Sequence, residues 1–564
     1  MPRRHRPPPW VPLRSILILA AAVRSSHAAF IHHRRLPPQE RLLPHAAAAG
    51  HDNAAPGPPP PSPPKLLVLF KGGPAGNADR GTSLACLREA EFRGLARSFL
   101  GAGADGLSFV GALETDLSLA AGSSPGGGPV SVAGRTAVDE GDDEEEEEED
   151  SSSSGGGGGA SSLQWVHGHG MADDAEALRR VASRAVLVHA AYEVWGEGTT
   201  YEVCAAAANG MADADPRLAP FLAGKGKRWA ARCLVFGAAC GRRKSLTDLP
   251  QKLEAFRPLL KRLPGPVDLK RPELQLALLE DGDAAQGEPL HRVFFARELC
   301  RGAHGKTQKL SLKRRGYVTT TSMDARTSLV MANVAGLREG DRVLDPFAGS
   351  GGLLLAAAEM GAGVTVGVDV NCTIDLGKVT ANFEAQGLAP PARYLFGDAA
   401  SPEIQAELMG GGLGPFDVIV ADPPYGKREK GAARAEGAAQ EAVATLVGMA
   451  ASPLLRAGGR AVFFVPAHPS CPDIVPWLPS HPCVALLEAA RQPLNANLDR
   501  WLIALEKGRE ARPGETVQSP VEMGWAGAGL DGEEGEEAAG GALGALRIWH
   551  YRPPPSPSID GAAE

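Results

Sequence analysis

A chain of 564 residues has room for two or three domains with sizeable cores. Its 69 glycines and 47 prolines exceed ordinary usage and concentrate in low-complexity stretches that cannot bury enough apolar surface to fold. The formal charge of −8 falls on one run, since residues 139–150 hold eleven acids and no base; without them the charge is +3, which excludes a strongly acidic folded part. Eight scattered cysteines without a CxxC pair read as reduced or buried thiols, and no metal site is expected.

Residues 1–64 read as an address. Arg3, Arg4, Arg6 and Arg14 precede a short apolar run, 16–23, and small residues around Ala28 and Ala29, the order of a secretory signal. That run is too short to span a bilayer, so no membrane segment is expected in the mature protein. The basic, acid-poor stretch 30–64 resembles the second part of the two-part targeting sequences of algae with complex plastids, with a disordered extension or a misassigned start codon as the alternative.

Folding is expected from Lys65. The run 65–70 reads as a strand and 84–100 as an amphipathic helix behind it. Residues 121–162, rich in Gly, Ser and acids, read as a surface-loop insertion. Order returns at Leu163, and an α/β pattern follows: a strand at 163–168, a helix at 173–185, apolar runs at 184–198 and 228–238, and a helix at 249–260. Lys225, Lys227, Arg228, Arg232, Arg242, Arg243 and Lys244 form a basic cluster with no acid among them, suited to phosphates. Lys313, Arg314 and Arg315 add charge in "SLKRRGY". "TTTSMDARTSL" (319–329) reads as a capped helix start with Thr321 or Ser322 at the N-cap.

From Arg342 onward strands alternate with helices, at 342–344, 364–368, 393–396, 418–420, 461–465, 484–487 and 502–505. This predicts a doubly wound α/β sheet whose ligands sit outside the carboxyl ends of its strands. In "LDPFAGSGG" (344–352) a strand enters a glycine-rich turn and then a helix with Leu353, Leu354, Ala357 and Ala358 on one face. Gly349, Gly351 and Gly352 allow close backbone approach to the methionine part of S-adenosylmethionine, with Phe347 beside them. Asp345 is placed for the cofactor's amino group, Asp369 for its ribose hydroxyls, and Asp398 with neighbouring Ala399 for its adenine. A nicotinamide enzyme is the rival reading, but "DPFAGSGG" lacks GxGxxG and hydride transfer has no use for the later "DPPY".

"VIVADPPYG" (418–426) supplies an amine pocket. An aryl amine is a poor nucleophile because its lone pair is delocalised into the ring. The Asp422 carboxylate and the Pro423 carbonyl can accept its two N–H bonds and leave the lone pair aimed at a methyl carbon. Pro423 and Pro424 fix that backbone, and Tyr425 offers a face on which a flipped base stacks.

The segments "SRAVLVHAAYEVWGEGTTYE" (183–202), "GPVDLKRPE" (265–273), "LSLKRRGYVTTTSMDARTSLVMAN" (310–333), "DPFAGSGG" and "DPPYG" occur in an order that resembles the catalytic subunit of eukaryotic tRNA guanine-10 N2-methyltransferase, over residues 65–507. The resemblance implies an α+β ferredoxin-like and THUMP RNA-binding module at 65–280, a class I Rossmann-like methyltransferase domain at 281–507 and a low-complexity tail at 508–564. It also implies that the 319–329 element, with Thr321 and Ser322, closes over the cofactor's methionine end. It implies tRNA as substrate, a small zinc-binding activator subunit, and a cytoplasmic site of action where the N-terminal segment is not used. The alternatives are another tRNA guanosine, adenine N6, or a catalytically idle RNA-binding or assembly factor, against which Asp422, Tyr425 and the complete turn argue.

Overall fold

The structure is a computed structural model that describes residues 65–70, 84–101, 107–111, 163–167, 175–223, 226–236, 249–281, 292–424, 438–467, 469, 471–495 and 498–519. The targeting segment, the acidic insert, the tail beyond 519, and Lys225, Arg242, Arg243, Lys244 and Tyr425 lie outside the described residues. Among the described residues no helix is long and apolar enough to cross a membrane.

In chain order the main elements are β1 (Lys65–Phe70), α1 (Arg88–Leu100), β2 (Ser108–Gly111), β3 (Leu163–His167), α2 (Ala175–Ala182), β4 (Val188–Gly198), α3 (Tyr201–Ala214), β5 (Trp229–Phe236), α4 (Leu249–Glu254), α5 (Arg257–Leu260), β6 (Leu274–Asp281) and β7 (Arg292–Arg301). There follow α6 (Ala325–Val334), β8 (Arg342–Asp345), α7 (Gly352–Glu359), β9 (Val364–Asp369), α8 (Leu376–Glu384), β10 (Arg393–Phe396), α9 (Pro402–Met409), β11 (Phe416–Ala421), α10 (Ala438–Ala451), β12 (Leu455–Ala467), β13 (Val484–Asn495) and β14 (Leu498–Lys507). The chain divides into two compact units, one of residues 194–235 and 242–298 and the other of 65–193, 236–241 and 299 onward, among the described residues.

The larger unit contains a seven-stranded sheet in the order β10, β9, β8, β11, β12, β14, β13. The first five strands are parallel; β14 runs antiparallel to both β12 and β13. Successive residues of β8 feed opposite faces: Val343 joins a core with α6 and α7, while Leu344 joins one with α10. Strands covered on both faces read as unbroken apolar runs, which is why β8 and β11 are legible in the sequence. The strand order reverses between β8 and β11, which opens a crevice at their carboxyl ends.

The same unit holds β2, β3, β1 and the first part of β4 in that order. Phe92 of α1 packs edge-on to Phe70 and Phe109, at centroid distances of 6.4 and 5.4 Å. The other side of α1 lies on α6. A Cβ at Gly94 would stand 2.5 Å from Val334 Cα, so only glycine permits this approach. Beside it the buried Glu91 carboxylate accepts hydrogen bonds from Val186 N (2.8 Å), Leu187 N (2.9 Å) and Asn333 Nδ2 (2.7 Å). Burial nonetheless pushes its pKa up to about 7.

In the smaller unit β6 pairs antiparallel with β7, and Phe295 stacks on Phe256 at 4.6 Å. Buried Glu280 accepts from Lys252 Nζ (2.8 Å), Tyr201 Oη (3.0 Å) and Cys233 Sγ (3.0 Å), a satisfied network. The seven described cysteines are free thiols.

Candidate active site

The crevice is built from strand ends. Asp345 closes β8 and is 1% exposed. Burial, with Asp369 and Asp422 nearby as secondary causes, drives its carboxyl well above the usual range, although Phe347 N donates to its Oδ1 at 3.0 Å. The turn that follows requires glycine, because Gly349 and Gly351 have φ of +50° and +80°. Gly351 then starts α7 as an N-cap without a side-chain cap.

Asp369 ends β9. Its Oδ2 accepts from Gly349 N (2.7 Å) and its Oδ1 from Asn371 N (2.8 Å), which fixes the carboxylate against the turn while leaving acceptor capacity on both oxygens. Tyr394 of β10 donates its hydroxyl to Gly349 O at 2.7 Å, a brace that sequence reasoning misses because a tyrosine inside a strand carries no motif. Phe396 of β10 lies opposite Asp369, and Asp398 follows with its Oδ1 accepting from Ala400 N at 2.9 Å; Ala399 is buried. Asp422 and Pro423 come directly after β11, Pro423 buried and Asp422 partly so.

The element before β8 departs from expectation at its cap. The N-cap of α6 is Asp324, whose side chain accepts from Thr327 N at 3.0 Å, and not Thr321 or Ser322. Ser322 is turned toward the glycine loop, with its Oγ 2.7 Å from Ser350 Oγ, and accepts from Thr319 N. Thr321 Oγ1 lies 3.3 Å from Thr319 Oγ1. Three consecutive threonines and a serine followed shortly by an acid offer several equivalent caps, and tertiary contact selects the last.

Of the basic residues, Lys313 and Arg314 are exposed, whereas Arg315 is 7% exposed and is not on the surface expected for it. Lys227 is exposed, with Nζ 5.0 Å from the Phe221 ring centroid. Arg228 is paired with Glu273 (3.0 Å) and Asp268 (3.6 Å), so a cluster free of acids in sequence has them in space.

The structure thus gathers Asp345, Gly349, Gly351, Asp369 and Ser322 around one turn and brings Asp422 within electrostatic reach of Asp345. The family of RMKL-like methyltransferase domains matches residues 313–389, the stretch from the basic segment through β8, the turn and β9. The tRNA (guanine(10)-N(2))-methyltransferase TRMT11 of Rattus norvegicus is 30% identical over 380 residues, covering 59% of this chain and 77% of its own. The yeast tRNA (guanine(10)-N(2))-methyltransferase, from Saccharomyces cerevisiae, is 28% identical over 255 residues, covering 44% of this chain and 55% of its own. Among solved structures, TrmN from Thermus thermophilus is 23% identical, with a TM-score of 0.31 over 61% of this chain and 89% of that one. With the glycine turn and the acid-ended strands in place, and with that identity spread over most of the rat enzyme's length, this chain belongs to the TRMT11 family of tRNA (guanine-N2) methyltransferases.

Proposed function

We propose that this chain transfers a methyl group from S-adenosylmethionine to the exocyclic N2 of guanosine 10 in tRNA. The observation that supports it best is the convergence of Asp345, Asp369 and Asp422 on the left-handed Gly349–Gly351 turn, in a chain of this family. The residues present fit the cofactor. Asp345 is a buried acid with a free oxygen and an unfavourable charge, which an ammonium group relieves. Asp369 retains lone pairs for two hydroxyls.

When bound, the cofactor supplies an electrophilic methyl group on a sulfonium. The chain's own residues prepare the amine. Asp422 carboxylate and Pro423 carbonyl take its two N–H bonds, and Pro424 stiffens the backbone that aims them. Tyr425 stacks the extruded base, a contact worth ~1–3 kcal/mol. Lys313 and Arg314, exposed just before α6, neutralise tRNA phosphates near the crevice, and Lys227 does so from the smaller unit. A small zinc-binding activator subunit is part of the same reading. Val475 and Leu486, each 40% exposed, line a pocket of about 110 Å³ on the methyltransferase sheet and suit such a cover.

The test is a tRNA with inosine at position 10, which lacks only the exocyclic amine. Methyl uptake should occur with guanosine and vanish with inosine; equal uptake by both would overturn the proposal.

A further inference from the structure

Arg315 is buried, and Asp324 acts on its charge from a distance without hydrogen-bonding to it. Its Nε donates to Leu310 O at 3.0 Å, but neither Nη1 nor Nη2 has a hydrogen-bond partner among the described residues. The backbone two residues on is pinned, because Tyr317 N donates to Asn382 Oδ1 (3.1 Å) and Asn382 Nδ2 donates to Tyr317 O (2.7 Å). Nη1 reaches the first turn of α7: a Cβ at Gly352 would lie 3.0 Å from it.

That placement opposes ordinary electrostatics. The start of a helix carries partial positive charge and unpaired N–H groups, and α7 has no side-chain cap to absorb either. A cation at this end is repelled unless an anion lies between. The nearby acid does not serve, since Asp324 spends its carboxylate on Thr327 N and Thr327 Oγ1 as the cap of α6. The Ser322 and Ser350 hydroxyls stand in the same turn.

We propose that Arg315, with the first turn of α7 and the Ser322–Ser350 pair, receives the α-carboxylate at the methionine end of the methyl donor. Two unpaired Nη groups in a planar fork match a carboxylate's two oxygens, and burial keeps water from screening the contact. The assignment rests on the methyltransferase reading and deepens it, separating Asp345 on the donor's ammonium from Arg315 on its carboxylate. An RNA phosphate is the other source of such an oxyanion, and the burial of Arg315 favours the smaller group.

Calorimetry on the full chain tests this with two ligands, S-adenosylhomocysteine and 5′-deoxy-5′-methylthioadenosine, which shares the nucleoside and thioether but lacks the carboxylate and amine. Arg315→Gln should weaken S-adenosylhomocysteine binding by about tenfold or more and leave methylthioadenosine and tRNA binding within about twofold. Arg315→Lys, which keeps the charge and loses the fork, should fall between and stands as the measure if the glutamine variant does not fold. Unchanged S-adenosylhomocysteine affinity, or equal losses for both nucleosides, would overturn the assignment, the second by revealing a structural role. Loss confined to tRNA would transfer Arg315 to a phosphate. If the native chain binds neither nucleoside, the methyltransferase reading itself fails.

Discussion

Asp369 and Asp422 stand at the ends of the strands on either side of β8, and the proposed function has them act at different moments, so their variants should separate. Asp369 is held against the turn by Gly349 N and Asn371 N and faces the cofactor's ribose on this reading. Asp369→Ala should weaken S-adenosylhomocysteine binding by about 1.5–3 kcal/mol, the range for hydrogen bonds to a charged acceptor, as read by calorimetry. Asp422→Ala should leave that affinity nearly unchanged and lower turnover by about a hundredfold or more, since its acceptor is needed only when the amine arrives. Retained turnover would remove Asp422 from the chemistry. Asp345 adds a pH effect with a definite sign. Its carboxyl is raised in the folded chain and ionises more readily beside an ammonium, so binding expels a proton. Affinity for S-adenosylhomocysteine should therefore rise with pH through that raised pKa. Methylthioadenosine, without the ammonium, should show no such rise.

At the scale of elements, the contact between α1 and α6 leaves no room for an added side-chain carbon. Gly94→Ala places a methyl group 2.5 Å from Val334 Cα, and relief requires the helices to part. Overpacking of this kind costs ~1–3 kcal/mol or more, and the melting temperature should drop by several degrees. Glu91 makes the same contact sensitive to pH. Its pKa stands at about 7 in the folded chain against an ordinary glutamate value of 4.5, so the folded chain binds more protons in that interval. The contribution of Glu91 to stability should then fall as pH rises from 4.5 to about 7, by about 3 kcal/mol. Denaturant unfolding across that range checks it, and Glu91→Gln should flatten the slope.

These contacts also mark where the sequence stops being legible. The strands from β8 to β14 follow from apolar runs and turn residues, and the acids that end β8 and β9 and the one that follows β11 are located from the strands. Helix α1 is visible as amphipathic, and its apolar face does pack behind β1. Nothing in the local pattern of Glu91 and Gly94 reveals a second face resting on a helix more than 230 residues away. The cap of α6 is misread for a similar reason, because Ser322 is drawn off by Ser350, a partner in another motif. Arg314 and Arg315 are chemically alike neighbours, and only tertiary packing exposes one and buries the other.

For the whole molecule, tRNA must be held by charge and read by one pocket. Replacing Lys313 and Arg314 by Ala should raise the tRNA KM and reduce the log–log salt slope of binding by up to about 0.9 for each duplex phosphate no longer neutralised, with cofactor affinity unchanged. Arg228 should contribute less, because Glu273 and Asp268 already engage it. Transfer of the methyl group to guanosine 10 is tested most directly by mass spectrometry of nucleosides from unmodified tRNA incubated with the purified chain and S-adenosylmethionine, with and without the proposed activator subunit. The expected product is N2-methylguanosine, located at position 10 by fragment mapping. N6-methyladenosine in its place, or methylation of a different guanosine with position 10 untouched, would contradict it.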